Sequence, residues 1–562
     1  MTPTTRPVAT DERTRTFLRP VRILHTVGQV RDAQVLLEDT PLQIHVREPQ
    51  AAVLDNRGTA EKAGILLDFG RELHGGVRVL CARTPGAEYP LVRLRFGESA
   101  SEAMTPLGVK NAGNDHAVRD FVVPVPAMSD QEWGQTGFRF VYVELQAQEA
   151  QLELTGVLAV SVLRDIPRIG SFRCSDERLN EIFDTAAYTC QLCMQHHLWD
   201  GIKRDRLIWI GDSHPEMLTI RSLFGYQKML EDSLDDVCAA TPLPHWMNDM
   251  PAYSLWWLCI LRDWYRFTGA ESYPAKHRDY IRGLAEQIAG LVDETGCLQL
   301  GDGFGCYFLD WPSCGTQAAV DGVHGLAILA LEAARELLAL WPGEENGCIR
   351  RVESALQRLR RHPVDSGGYK PTAAMLYLAG QLSGEETARC LTDGGDEGFS
   401  TFMSFYLLTA LARTAGAEAA LGALRSYYGG MLDMGATTFW EDFHTAWMEN
   451  ACPIDRLPRE GERDIHGDFG GYCYEKFRHS LCHGWASGPV PFLMETVLGI
   501  SFVTPGGKQI RLTPSLGDLE WAEGSYPLPD GGVLTLRCER TAQGVHTTYS
   551  APAGTTVSVD DT

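Results

Sequence analysis

The segment Asp200-Gly201-Ile202-Lys203-Arg204-Asp205-Arg206-Leu207-Ile208-Trp209-Ile210-Gly211-Asp212 sets three carboxylates, three cations and a tryptophan within thirteen residues. These are the materials of a sugar-cleaving site. Asp200, Asp205 and Asp212 supply acids and partners for hydroxyl groups, the cations between them hold chosen carboxylates ionised, and Trp209 offers a flat apolar face to a pyranose ring. Breaking a glycosidic bond without a metal needs two carboxyl groups, one to protonate the leaving oxygen and one to direct water or attack the anomeric carbon. A second carboxylate, Glu441, stands far along the chain in Gly435-Ala436-Thr437-Thr438-Phe439-Trp440-Glu441-Asp442. Three further stretches share this polar and aromatic make-up: Pro244-His245-Trp246-Met247-Asn248-Asp249, Phe308-Leu309-Asp310-Trp311 and Ser480-Leu481-Cys482-His483-Gly484-Trp485.

These loops need a scaffold, and the hydrophobic period supplies one in three parts. From about 65 to 163 the chain alternates apolar and polar residues in short runs, such as Leu91-Val92-Arg93-Leu94-Arg95-Phe96, so period two with Gly and Pro punctuation predicts an antiparallel β-sandwich. A connector from Arg164 to Ser175 leads to apolar stripes at steps of three and four. The first runs from Leu179 to His197 behind a Ser175-Asp176-Glu177 cap, and others cover 218–234, 253–267, 280–292, 323–341, 349–359, 373–382, 402–415 and 417–428. Some ten helices in this stretch are consistent with hairpins closed into a toroid, although periodicity also allows a plain helical bundle. After Gly499 strands return at 508–512, 532–537 and 545–549. The expected organisation is therefore multidomain: a β-sandwich with its connector over 1–165, an all-α catalytic domain over 166–497 and a second small antiparallel β-sandwich over 498–562.

Composition narrows the partners. With 73 acidic and 50 basic residues the formal charge is −23, which opposes nucleic acid and anionic membrane surfaces and favours a small neutral ligand such as a carbohydrate. Fifteen cysteines without the regular spacing of a disulfide scaffold read as reduced thiols of a cytoplasmic protein, with Cys190 and Cys193 as core residues of an apolar helix stripe. Met1–Pro20 has no continuous apolar run, so no signal peptide is expected, and no stretch is long enough to span a bilayer. No metal-ligand spacing or phosphate-binding loop is present, and two carboxylates with water suffice, so no metal or cofactor is expected.

Asp200-x-x-x-Arg204-Asp205-Arg206-x-x-Trp209-x-Gly211-Asp212 resembles the signature of glycoside hydrolase family 78, the inverting α-L-rhamnosidases, whose usual form is Asp-Cys-Pro-x-Arg-Glu-Arg-x-x-Trp-x-Gly-Asp. Gly435-Ala436-Thr437-Thr438-Phe439-Trp440-Glu441 is similar to the family's Gly-Ala-Thr-Thr-x-Trp-Glu, and Ser480-Leu481-Cys482-His483 to its Ser-x-x-His element. The resemblance spans about 60–550 and implies an (α/α)6 barrel between two β-sandwiches. It also implies that Asp205 is the general acid and Glu441 the general base, that Asp200, Arg204, Trp209 and Asp212 line the rhamnose subsite, and that His483 sits beside the sugar. Trp246 and Trp311 are candidate aromatic walls.

The sequence departs from the family pattern at the acid. Asp205 is one methylene shorter than the family's Glu, which leaves Asp212 and Glu216 as alternative acids. Gly201-Ile202 replaces Cys-Pro, and Asp442-Phe443 follows Glu441 in place of Arg-Trp, so the chain reads as a divergent branch. An acid must stay protonated near neutral pH, so Arg204 and Arg206 are expected to serve Asp200, Asp212 or sugar hydroxyls rather than Asp205. Two rival readings remain: a hydrolase of another sugar on the same scaffold, and a catalytically silent carbohydrate-binding protein.

Overall fold

The computed structural model describes residues 10–47, 50–301 and 305–560. The first nine residues of the Met1–Pro20 stretch lie outside it. The chain divides into two compact units, each assembled from three segments. One takes the described residues of Met1–Ile166 together with Gln191–Arg206 and Asn450–Cys482; the other takes Pro167–Cys190, Leu207–Glu449 and His483–Thr562.

The first unit is built on a nine-stranded sheet, antiparallel throughout. Its spine is the long strand Gly64–Arg83, which pairs with Ser129–Leu145 along most of its length, with Arg22–Val27 over its first part and with Gln151–Arg164 over its second. Register shifts between Asp68 and Leu73 and between Gly75 and Val77 bend it, as bulges do, letting one strand serve two sets of neighbours. The alternation read from sequence resolves into a core of Ile65, Leu67, Phe69, Val77, Val92, Leu94, Phe96, Phe138, Val141, Leu154 and Val157.

The second unit is helical. Its central element is Pro251–Thr268, where Trp256, Trp257 and Trp264 are among the largest fully buried side chains of the protein. A helix apolar around nearly its whole circumference must be surrounded, and this one packs against Gln317–Leu338 and Ser213–Leu223. Hairpin-like neighbours follow: Arg278–Gly290 with Asn346–Leu359, Gln317–Leu338 with Lys370–Leu378, and Ser404–Ala415 with Ala417–Asp433. Pro251 opens the central helix and Gly269, in the left-handed region at φ 66°, closes it.

Three details depart from the periodicity reading. The stripe over 218–234 is two helices, Ser213–Leu223 and Lys228–Ala240, because Gly225 turns the chain at φ 69° between them. Gly384–Thr392, begun by a Ser383 and Glu386 capping box, is a further helix, too short at 9 residues to show a repeated apolar stripe. The connector contributes a strand, Ser171–Cys174, which pairs with Trp521–Pro527 and so joins the C-terminal strands Val533–Thr541 and Gly544–Ser550. A second C-terminal sheet contains Ile500–Phe502, Gln509–Leu512 and Thr556–Val559, and its last pairing is parallel rather than antiparallel. Among the described residues no helix is long and apolar enough to cross a membrane.

Gly225→Ala places a Cβ on a left-handed residue and also within 3.3 Å of Pro527. It is expected to lower stability by about 1 kcal/mol, read as a lower midpoint in urea with an unchanged slope.

Candidate active site

The structure divides the Asp200–Asp212 segment. Asp200–Arg206 belong to the sheet unit, and Leu207–Asp212 to the helical unit.

Within the helical unit, Asp212 comes together with two candidates more than two hundred residues further along the chain, Glu441 and His483. His483 Nε2 lies 3.9 Å from Asp212 Oδ2 and 3.8 Å from Glu441 Oε1, and all three side chains are buried. Asp212 immediately precedes Ser213–Leu223, and the Tyr253 hydroxyl donates to its Oδ1 at 2.7 Å. Glu441 lies beyond Ala417–Asp433, with its main chain fixed by Thr401 Oγ1 at 2.6 Å and Trp485 Nε1 at 3.0 Å, both donating to its carbonyl. His483 donates its backbone N–H to Phe439 O at 3.0 Å, so the loop carrying the histidine is tied to the loop carrying Glu441.

Aromatic rings frame this cluster. Trp209 meets Tyr253 edge to face at 6.0 Å, Tyr253 meets Phe308 at 5.9 Å, and Phe308 meets Trp311 at 5.1 Å. On the other side the His483 ring lies 4.1 Å from Trp485, which stacks on Phe402. Trp209 and Trp311 thus belong to one aromatic row, linked by Tyr253. Trp246 is half-buried and precedes a short turn, where Asn248 accepts from Ile210 N and donates to Ile208 O to pin the Trp209 loop. Gly211 owes its place to Tyr253, since a Cβ there would meet the ring at 2.3 Å.

Sequence reasoning missed Tyr253, Trp485 and Asp442 as members of this site. Tyr253 was hidden as the first apolar residue of a helix, although its hydroxyl, one turn into that helix, is the group that reaches Asp212. Burial, opposed by His444 and the Phe443 N–H and reinforced by Glu441 and Asp310, pushes the Asp442 carboxyl up to about 6. Asp310, buried beneath Tyr369 and Ser313, is also raised, chiefly by burial.

Of the alternative acids, Glu216 is fully buried on Ser213–Leu223, and a Cβ on Gly484 would fall 1.5 Å from its Oε1, so it lies under the His483 loop. His214 points into the helical core instead. Its Nδ1 is 2.6 Å from the Tyr406 hydroxyl, its Nε2 is 3.1 Å from Asp263, and burial holds its pKa below the ordinary imidazole value against the pull of Asp263.

In the sheet unit, Asp205 sits at φ 54° with its side chain 16% exposed. Its Oδ1 lies 2.9 Å from His116 Nδ1 and 3.5 Å from Arg204 Nη1. The expectation that Arg204 avoids Asp205 is therefore corrected: the two are sequence neighbours on a left-handed turn that brings their side chains together. Arg204 Nε also donates to Arg478 O, while Arg206 donates to the carbonyls of Gln135 and His116. Asp200 is buried, with its carbonyl accepting from Cys193 Sγ.

Glu98, Glu102 and His466 form the one group of potential metal ligands found among the described residues, their ligand atoms lying within 4.8 Å of one another. The Lys203 ammonium is already there, 3.2 Å from Glu98 and 3.1 Å from Glu102. Burial lifts Glu98 to about 7 against the pull of Lys203, and burial together with Glu98 and Glu102 raises Glu72. The cation inside this carboxylate cluster makes it an ion-pair network that holds the Lys203–Arg204–Asp205 turn. All fifteen cysteines are free thiols.

Buried carboxylates and a histidine beside aromatic faces are groups suited to contacting a carbohydrate. The comparisons point the same way. Residues 167–273 match the family model of the bacterial alpha-L-rhamnosidase 6 hairpin glycosidase domain. The chain superposes on the GH78 rhamnosidase of Bacillus sp. GL1 with a TM-score of 0.72 at 22% identity, covering 94% of this chain and 55% of that one. A rhamnosidase from Klebsiella oxytoca with rhamnose bound gives 0.66 at 19% identity over 86% and 96% of the two chains. The Streptomyces avermitilis alpha-L-rhamnosidase complexed with L-rhamnose gives 0.67 at 16%, over 88% and 48%. The chain thus spans about half the length of the Bacillus and Streptomyces proteins and nearly all of the Klebsiella one. No curated protein matches the sequence. Residues 167–273 thus resemble a bacterial α-L-rhamnosidase six-hairpin domain, and the chain has the fold of the rhamnosidase structures it superposes on, at low sequence identity.

Two measurements test this electrostatic picture. The folded-state value of Asp442 lies above the ordinary carboxylate value, so the folded protein holds that proton more tightly than the unfolded chain. The stabilisation is complete below about pH 4 and lost as pH rises through 6. Asp442→Asn should therefore gain in Tm over the parent across that interval and keep a constant advantage above it. Lys203→Met leaves buried carboxylates without their cation and should cost about 3–5 kcal/mol in urea denaturation at pH 8.

Proposed function

We propose that the protein is a glycoside hydrolase that releases terminal α-L-rhamnose from a glycoside or oligosaccharide with inversion. The observation that carries this reading is the convergence of Asp212, His483 and Glu441 in the aromatic-framed cluster of the helical unit. Support comes from the six-hairpin family match over 167–273 and from neighbours described as rhamnosidases with rhamnose bound. On this reading the helical hairpins close as an (α/α)6 toroid.

Glu441 is the general base. It takes a proton from the water that forms the new bond to the anomeric carbon, and its tethered main chain fixes the direction of that attack. Asp205 is the general acid that protonates the leaving oxygen. Asp212, held by the Tyr253 hydroxyl, and His483 bind hydroxyl groups of the sugar, with Trp209 and Trp311 as apolar faces beside its ring. Asp200 and Arg204 complete the subsite, and Trp246 lies along its approach. The free thiols favour a cytoplasmic location.

Kinetics on 4-nitrophenyl α-L-rhamnoside and on the nitrophenyl glycosides of other sugars test the assignment. Glu441→Gln and Asp205→Asn are each expected to lower kcat by about 10²–10⁴-fold. The Asp205→Asn loss should be larger on a methyl than on a nitrophenyl glycoside, because a good leaving group needs less protonation. Turnover of a different sugar with no release of rhamnose would replace the substrate, and binding of rhamnose without turnover of any glycoside would make the protein a binder.

A further inference from the structure

A cavity of about 460 Å³ lies in the sheet unit beside the Asp205 turn. Its lining includes the apolar side chains of Ala117, Val118 and Phe121 and the polar ones of Asn114, Gln135 and Arg206. His116, whose Nδ1 holds Asp205 Oδ1 at 2.9 Å, lines it as well. Arg206 follows Asp205 in the chain and donates to both His116 O and Gln135 O, so one guanidinium ties together the two segments that shape the cavity. Val118 is 53% exposed at the rim of the cavity.

We propose that this cavity is the subsite for the leaving group of the glycoside, and that it takes an apolar ring carrying hydroxyl groups. The assignment rests on Asp205 being the general acid. An acid that protonates the glycosidic oxygen stands at the boundary between the sugar and its leaving group, and the cavity beside this acid has the volume of a small ring system. His116 is the positioning residue of the pair. A carboxyl one methylene shorter than the family's Glu gains a fixed orientation from an imidazole on Oδ1, which leaves Oδ2 to carry the transferred proton.

The groups facing His116 are Asp205 at Nδ1, Asp115 at 3.3 Å from Nε2, and Arg206 at its carbonyl, while Asp115 is itself held by Arg478. In the step, the proton on Asp205 passes to the glycosidic oxygen as the bond from that oxygen to the anomeric carbon breaks. The bonding pair stays on the oxygen, the leaving group departs as a neutral alcohol or phenol, and Asp205 is left as a carboxylate. Water supplies the new oxygen at the anomeric carbon and gives its proton to Glu441.

The test pairs fluorescence titration of the full chain with free 4-methylumbelliferone against hydrolysis of 4-methylumbelliferyl and methyl α-L-rhamnosides. Val118→Asp puts a charge at the exposed rim, where folding tolerates it, and a thermal melt confirms the fold. The parent is expected to bind the free coumarin, and the variant to bind it about tenfold more weakly, with the aryl-over-methyl ratio of kcat/KM falling by a similar factor. His116→Gln should lower kcat more than it raises KM, as expected of a residue that positions the acid rather than the substrate. Hydrolysis by the parent with the coumarin affinity and the aryl-over-methyl ratio both untouched in Val118→Asp overturns this assignment alone. Val118-dependent coumarin binding without hydrolysis of any glycoside overturns the reading of the reaction, and the leaving-group role with it, and leaves the cavity as a ring-binding site.

Discussion

Keeping the Glu441 carboxyl out of bulk water is the constraint on which the helical unit turns. A carboxylate withdrawn from solvent costs several kcal/mol unless polar groups are arranged to meet it. Here the arrangement is made by backbone anchors. The Thr401 hydroxyl and the Trp485 indole hold the Glu441 carbonyl, and the His483 amide holds the Phe439 carbonyl. The imidazole is thereby delivered to a point less than 4 Å from both Glu441 and Asp212. These anchors come from elements whose packing is otherwise apolar, so the hydrophobic core around Trp256, Trp257 and Trp264 sets the precision of the polar site.

The sheet unit solves a related problem differently. Lys203 enters a buried carboxylate cluster, its ammonium 3.2 Å from Glu98 and 3.1 Å from Glu102, and opposes the upward push that burial gives Glu98. The next residues of the chain, Arg204, Asp205 and Arg206, emerge from that fixed point through two successive left-handed positions. Such positions are uncommon for residues with a Cβ and persist where surrounding contacts over-determine them, as the Arg206 bonds to Gln135 and His116 do. The motif that reads as a single cluster in the sequence is, in the folded protein, shared between two independently packed bodies.

Much of this was legible in the sequence, for identifiable reasons. The long strands and helices announce themselves through period, and a common site for Asp212, Glu441 and His483 was implied by the family resemblance of the motifs that carry them. The Ser213–Leu223 and Lys228–Ala240 break was missed because Gly225 interrupts an apolar stripe without disturbing its step. The strand Ser171–Cys174 was missed because its partner lies some 350 residues away, and pairing of that kind leaves no local trace. Tyr253 was passed over because an aromatic residue in an apolar run looks the same whether its polar atom is idle or engaged, and Trp485 because its stretch was read for His483. His116 was invisible altogether, since nothing near it in sequence marks it as the partner of Asp205.

The account stands or falls on the stereochemistry of one turnover. Proton NMR of the first product formed from a defined aryl α-L-rhamnoside, followed before mutarotation equilibrates it, reports the sugar released and its anomeric form together. Direct attack of a water activated by Glu441 predicts that β-L-rhamnose appears first and decays toward the equilibrium mixture. Initial appearance of α-L-rhamnose would contradict it, because retention requires a covalent intermediate that this assignment of Glu441 as base does not allow.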